Sequence, residues 1–303
     1  MGRHMTVLCM GEALVDLVPR PDGSIRPLPG GGAWNTALAL GRLGVATSFA
    51  WPISRDAYGA LLLGPLAAAG VETSLCPRSD GPTALARIDL NSSDASYRFD
   101  DKNSAGRMFA PAQLPPLPPD CRALLIGGIS LAAEPCGSTV ERFATSAAHR
   151  GIPLMIDPNI RPQAIQNEPE YRARLDRLFA RSHLVKLSAE DAAWLAPGMA
   201  PEETARRILA RGPGIVALTC GAQGALALTR QHRLYAAAVP ATVADSIGAG
   251  DSFNAGFLAS LLRSNALDAP DSAALTAALA LATKAAAITV SRPGADPPWA
   301  DEL

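Results

Sequence analysis

The stretch "DSIGAGDSFNAGF", residues 245–257, sets two aspartates on either side of a Gly-Ala-Gly turn and then runs into an apolar pattern with helical spacing. Phe253, Phe257, Leu258, Leu261 and Leu262 fall on one face of a helix that starts at or next to Asp251. The N–H groups of Gly248, Ala249 and Gly250 then lie at the helix's positive end, where unpaired donors and the dipole favour an anion such as a phosphate. Asp251 itself has two readings here: a plain N-cap beside a tight turn, or a general base set next to an oxyanion site.

Working outward, short β-type runs alternate with longer helical ones. "TVLCMGEALVDLV", "ATSFAW", "RALLIGG", "IPLMID", "HLVKL" and "GIVALTC" read as strands, most of them continuously apolar, as strands buried on both faces are. Between them lie the amphipathic segments "AWNTALALGRLG", "DAYGALLLGPLAAAG", "STVERFATSAAHR", "PEYRARLDRLFARS" and "PEETARRILARG". Such alternation predicts an α/β fold, a doubly wound, mainly parallel sheet flanked by helices, with ligands held beyond the strand C-termini. "TALARIDLNSSDASYRFD", 83–100, breaks the rhythm. It alternates apolar and polar residues around an Asn-Ser-Ser-Asp turn, as a hairpin does, and reads either as a small β lid or as an ordinary edge ribbon. The Pro-rich "APAQLPPLPPD", 110–120, reads as a stiff connector back to the core.

Composition narrows the ligand. With 27 basic and 28 acidic residues, a net charge of -1 and no long basic run, nothing favours nucleic acid or an anionic membrane as partner; the expected ligand is small. The five cysteines show no CxxC pairing and are odd in number, and no apolar leader precedes the first strand pattern. Together these predict reduced thiols and a cytoplasmic protein. The four histidines have no ligand spacing, so no histidine-based metal site is expected.

A second glycine run, "PGGGAWNTALALGRLG" at 29–44, precedes another helix and presents Asn35, whose amide offers a polyol both donor and acceptor. With "GEALVD" (11–16), "DAYG" (56–59), "GVETS" (70–74), "DPNIRP" (157–162), "KLSAED" (186–191), "TCGAQGAL" (219–226) and the Gly-Ala-Gly-Asp of the opening stretch, it completes an ordered set of motifs. This set resembles the PfkB, or ribokinase-like, family of carbohydrate kinases over nearly the whole chain. The resemblance implies one ribokinase-like domain over 1–303, with a β-lid insertion at about 83–110.

The resemblance also implies roles. Asp251 matches the base that deprotonates the sugar hydroxyl, with Gly248, Ala249 and Gly250 as the anion hole. Asp16, at the end of the first strand, matches the carboxylate that binds sugar hydroxyls, beside Gly31 and Asn35. Thr219, Gly221 and Gly224 match the nucleotide-binding turn, and Lys186 and Ser188 line the phosphate side. ATP and Mg2+ are the implied partners of the sugar, with Glu190 or Asp191 holding magnesium through water. Asp245 and the Ile247 carbonyl match part of a potassium site. Many relatives carry Asn and Glu where this chain has Ser188, Glu190 and Asp191, a pattern shared by fructokinase-like members.

"DPNIRP" and "GGISLAAEP" look most like fructokinases and the related 2-keto-3-deoxygluconate kinases. Arg161 and Arg107 are candidate sugar ligands or surface ion-pair partners, and Tyr97 and Phe99 share a strand face that either closes over a sugar or simply packs. The expected reaction is transfer of the γ-phosphoryl group of ATP to a sugar, fructose first, with 2-keto-3-deoxygluconate, ribose or a nucleoside as alternatives. A sugar or nucleotide sensor without chemistry is the competing class, but a sensor needs no base at Asp251. A dinucleotide oxidoreductase lacks its GxGxxG after the first strand. The resemblance leaves a monomer or a lid-mediated homodimer open.

Overall fold

The structure is a computed structural model that describes residues 6–20, 22–89 and 96–303, apart from the side chains of 88, 89, 96 and 97. The chain begins with β1 (Thr6–Met10) and continues through β2 (Leu14–Pro19), β3 (Ile25–Gly30), α1 (Gly32–Arg42) and β4 (Thr47–Phe49). Next come β5 (Ile53–Ser54), α2 (Ala57–Ala68), β6 (Arg78–Ser79), β7 (Ala84–Asp89) and β8 (Ser96–Asp100). The middle of the chain forms β9 (Cys121–Gly127), α3 (Cys136–His149), β10 (Leu154–Asp157), α4 (Glu168–Phe179), β11 (Leu184–Ser188), α5 (Ala189–Leu195) and α6 (Pro201–Leu209). It closes with β12 (Ile215–Thr219), β13 (Ala225–Leu228), β14 (Arg233–Ala236), α7 (Ala249–Arg263) and α8 (Ser272–Val290).

The main sheet runs β14-β13-β12-β11-β10-β9-β1-β4. From β4 to β12 every pairing is parallel, and the strands are apolar and buried because helices cover both faces. The two strands after β12 turn back antiparallel and extend the edge. These strands, and α8, were not read from the sequence. α8 is long and apolar enough to cross a membrane by composition, but Leu275, Ala278, Leu279, Ala282 and Ala285 are buried as it packs on α7. The close approach has a local cause: a Cβ on Gly256 would lie 2.9 Å from the Ala282 Cα, so α8 presents alanine where α7 presents glycine.

The first strand pattern proves to be two strands in two sheets. β1 belongs to the core, whereas β2 pairs antiparallel with β3 and parallel with β7, giving a separate sheet β3-β2-β7-β8. The break falls at Gly11–Ala13, where a Cβ on Gly11 would meet Ala33 at 2.7 Å, so the chain leaves the core sheet under α1. The 83–100 segment supplies β7 and β8, which pair antiparallel as half of a four-stranded sheet ending at Asp100, while the expected Asn-Ser-Ser-Asp turn lies outside the described residues. Residues 101–109 carry Ala105 and Phe109 into buried positions, and the Pro-rich segment 110–120 leads into β9.

Candidate active site

The C-terminal ends of β1, β9, β10, β11 and β12 open on one side of the sheet, where an open α/β sheet takes its ligands. α7 enters this crevice with Gly248 as its N-cap at φ 78, in the left-handed region that glycine adopts without strain. Ala249 and Gly250 begin the helix, and Asp251 is buried in its first turn. Phe253, Phe257, Leu258, Leu261 and Leu262 are all buried, as the helical spacing predicts.

α1 faces it from the other side. Gly31 caps α1 at φ 116, and a Cβ there would lie 2.2 Å from the Glu12 carbonyl oxygen. The Asn35 amide donates to Asp251 Oδ2 at 2.8 Å, across 216 residues of sequence. Asn35 Oδ1 is buried with no hydrogen-bond partner among the described residues. Asp251 Oδ1 is turned toward Gly32, where a Cβ would lie 3.5 Å away.

A third group comes from the strand ends. Lys186 Nζ donates to Asp157 Oδ2 at 3.1 Å, and Asn254 Nδ2 of α7 donates to the same oxygen at 2.7 Å. The ion pair is buried on both sides, with side chains 5% and 6% exposed. The lysine ammonium also lies against Gly250: a Cβ on that residue would sit 3.0 Å from Nζ. A helix N-terminus and a buried cation thus converge within reach of the Asp251 carboxylate, an arrangement that attracts an anion to the side of that carboxylate.

Residues 5–302 match the family model described as pfkB family carbohydrate kinase. The chain belongs to the pfkB family of carbohydrate kinases. Similar curated proteins include a fructokinase of Rhizobium leguminosarum bv. trifolii, 41% identical over 265 residues, 86% of this chain and 81% of the relative. A Klebsiella pneumoniae fructokinase is 32% identical over 301 residues, 97% and 96% of the two chains. Among solved structures, a fructokinase with bound ATP from Xylella fastidiosa is similar with a TM-score of 0.88 at 25% identity, covering 96% of this chain and 94% of that one.

The electrostatics of this carbohydrate kinase suit proton abstraction. Burial pushes Asp251 up to about 7, helped by the nearby Asp157 charge and opposed by the Asn35 hydrogen bond and by Lys186. Burial raises Asp16 to about 7 as well, with Asp245 adding to the effect. Burial alone would lower Lys186, but the carboxylates of Asp157, Asp191 and Asp251 hold it above its usual value.

The structure moves Asp16 from the place the sequence suggested. It lies not at the end of the first core strand but in the middle of β2, in the smaller sheet. A Cβ on Gly30 would come 2.5 Å from Asp16 Oδ2, so the glycine run leaves that carboxylate room. Cross-strand register places Leu28, Asp16, Ala86 and Phe99 in one row, which puts Phe99 on the face that carries Asp16. The side chain of Tyr97 lies outside the described residues.

Several candidates have structural employment. Arg107 donates to Asp101 Oδ2 at 2.8 Å and to the Glu134 carbonyl at 2.7 Å, fastening the segment after β8 to the loop before α3. Arg161 is exposed and donates to the Ile160 carbonyl at 3.0 Å. Ser188 is the N-cap of α5, forming a capping box with Asp191. Asp191 is buried, with Oδ1 accepting from Ile160 N–H at 2.7 Å and Oδ2 from Ser188 N–H at 2.9 Å, so its oxygens hold backbone. Glu190, by contrast, is exposed on the first turn of α5.

On the neighbouring strand, the Thr219 hydroxyl donates to the Leu187 carbonyl at 3.3 Å, and the turn Gly221–Gln223 follows. Gly221 is left-handed at φ 53 with open space around its Cβ position. Gly224, at φ 89, would place a Cβ 2.2 Å from the Ala236 carbonyl oxygen. Asp245 accepts from Ile247 N–H and from Gly294 N–H, both at 3.0 Å, which draws the 245–247 turn against the 289–298 segment. Sequence reasoning missed Glu12, Asn254 and the Asp157–Lys186 pairing. Their only sequence signals were a buried-type carboxylate in "GEALVD", an amide one turn beyond Asp251, and a lysine inside a strand.

Proposed function

We propose that this kinase transfers the γ-phosphoryl group of ATP to fructose, giving fructose 6-phosphate. The observation that carries the chemistry is Asp251: buried, held by Asn35, raised to about 7, and placed in the first turn of a helix whose N-terminus faces a buried lysine. The relatives named fructokinase at 41% and 32% identity support the choice of sugar.

In this mechanism the sugar lies between Asp16 on the lid sheet and Asn35 on α1, the unpartnered Asn35 Oδ1 accepting one of its hydroxyls. Asp251 takes the proton of the attacking hydroxyl as the new O–P bond forms. The N–H groups of Gly248 and Gly250, and that of Ala249 on giving up its long 3.4 Å bond to the Ser246 carbonyl, with Lys186 behind them, stabilise charge on the phosphoryl oxygens while ADP leaves on the far side. The nucleotide occupies the ends of β11 and β12, beside Ser188, Thr219 and the Gly221–Gly224 turn.

Among the described residues, no group of three or more His, Cys, Asp or Glu side chains is placed to hold a metal ion. A magnesium ion carried in on the nucleotide would be held through water by Glu190, the exposed carboxylate on the first turn of α5. Magnesium supplies charge neutralisation on the transferred group. The Asp245 clamp on Gly294 supports a potassium site built from the Ile247 carbonyl and the 289–298 segment.

The test is magnesium-dependent ADP release from ATP with fructose, and with 2-keto-3-deoxygluconate, ribose and adenosine alongside. Fructose should give by far the highest kcat/KM, and turnover confined to another compound would overturn the substrate. Asp251→Asn should lose about 10²- to 10⁴-fold in kcat while binding sugar and nucleotide normally by calorimetry. Near-normal turnover would remove Asp251 as the base.

A further inference from the structure

Glu12 sits in the crossover from β1 to β2, where the chain leaves the core for the lid sheet. Its carboxylate is buried, and its two oxygens hold two other segments. Oε1 accepts from Gly32 N–H at the start of α1 at 3.0 Å, and Oε2 accepts from Ser130 N–H in the loop after β9 at 3.1 Å. The surrounding chain is cut to fit it. A Cβ on Gly128 would lie 2.0 Å from Oε1, at a residue whose φ is 66. A water-filled surface loop needs no such carboxylate; a buried one costs desolvation and persists where it holds geometry.

The geometry it holds leads to the base. Gly32 opens α1, Asn35 closes the first turn by donating its N–H to the Gly31 carbonyl at 2.8 Å, and the Asn35 amide then donates to Asp251. Two residues beyond Glu12, β2 begins and carries Asp16. We propose that Glu12 is a positioning residue for phosphoryl transfer, tying the lid crossover and the β9 loop to the first turn of α1 and through Asn35 to Asp251. The charged and titratable groups facing Glu12 are Arg161 from the loop after β10, Asp251 from α7 and Tyr171 from α4. Those facing Asp251 are Asp157, Lys186 and Glu12 itself. The inference rests on the kinase reaction and not on which sugar is used.

Two substitutions separate charge from reach. Glu12→Gln keeps the shape but removes the charge and turns an NH2 toward one of the two N–H donors. Glu12→Asp keeps the charge but falls one methylene short of bridging both. Rates are taken per folded molecule. Glu12→Gln should lose kcat by about tenfold to 10²-fold, because a displaced base is costly. Its acid limb of kcat/KM against pH should move down, because the Glu12 carboxylate, wherever it is ionised, raises Asp251.

Glu12→Asp should lose kcat similarly with its acid limb unmoved. A role confined to folding predicts a lower melting temperature with kcat and limb unchanged in both variants, and that result overturns the proposal. If Glu12→Gln is insoluble, Glu12→Asp decides alone, full kcat being the contrary outcome. The comparison is run on whichever sugar the wild type phosphorylates, so silence on fructose would sink the substrate reading and leave this test intact.

Discussion

The proton affinity of Asp251 is set by its surroundings more than by its identity. Burial beside Asp157 brings it to about 7, so its carboxylate form is lost as the pH falls through that value. We therefore expect kcat/KM to drop about tenfold per unit below pH 7, with the limb absent from whatever activity Asp251→Asn retains. A limb near pH 4 would mean that the carboxylate is solvated in the working enzyme. Lys186 poses the complementary question, since it neutralises Asp157 in a dry environment. Lys186→Met should destabilise the fold by about 3–5 kcal/mol, because it leaves a buried carboxylate without its cation. Urea unfolding measures this, and a loss below about 1 kcal/mol would show that Asn254 suffices for Asp157.

At the scale of elements, the site is two helix starts facing each other, and each start depends on a glycine. Gly31 combines φ 116 with a hypothetical Cβ 2.2 Å from backbone oxygen, so relief would require moving the crossover itself. Gly31→Ala should cost on the order of 3 kcal/mol or more. Gly44, at φ 74 with nothing within 4 Å of its Cβ position, is the control, and Gly44→Ala should cost only about 1–2 kcal/mol. Equal losses in chemical denaturation would show that backbone conformation alone, and not the contact with Glu12, sets the requirement. The smaller sheet has its own logic. β2 and β7 run parallel although residues 20–83 separate them, so Asp16 sits in a sheet assembled from distant pieces.

For the whole molecule, the concentration of carboxylates in one crevice has a thermodynamic signature. Glu12, Asp16 and Asp251 are each pushed up to about 7 by burial, against ordinary values near 4 in the unfolded chain. Between those limits the folded state binds more protons than the unfolded one, so stability falls as pH rises through this window. The ligand-free protein should melt at a higher temperature at pH 5.5 than at pH 8, and Asp251→Asn should show a shallower dependence. Calorimetry across that range decides it. A melting temperature that rises with pH would mean that the crevice is wetter than its geometry indicates.

Local chemistry made the two helix starts legible. A glycine turn, a capping acid and an apolar stripe are neighbours in sequence, so Gly248 to Asp251, and Gly31 with Asn35, were readable before any folding was known. The parallel core was readable for a related reason, since strands buried on both faces carry continuous apolar runs. Tertiary structure alone decided what those pieces meet. One uninterrupted β pattern became β1 and β2 in different sheets, because the break at Gly11 is set by contact with Ala33 on α1. Asp191 became a cap rather than an open ligand, because Ile160 N–H arrives from another strand's loop. The Asp157–Lys186–Asn254 cluster and the bridge by Glu12 join residues far apart in sequence. Sequence determines helix starts because their hydrogen bonds close within a turn; the partners of a buried charge are determined by packing, which no local pattern encodes.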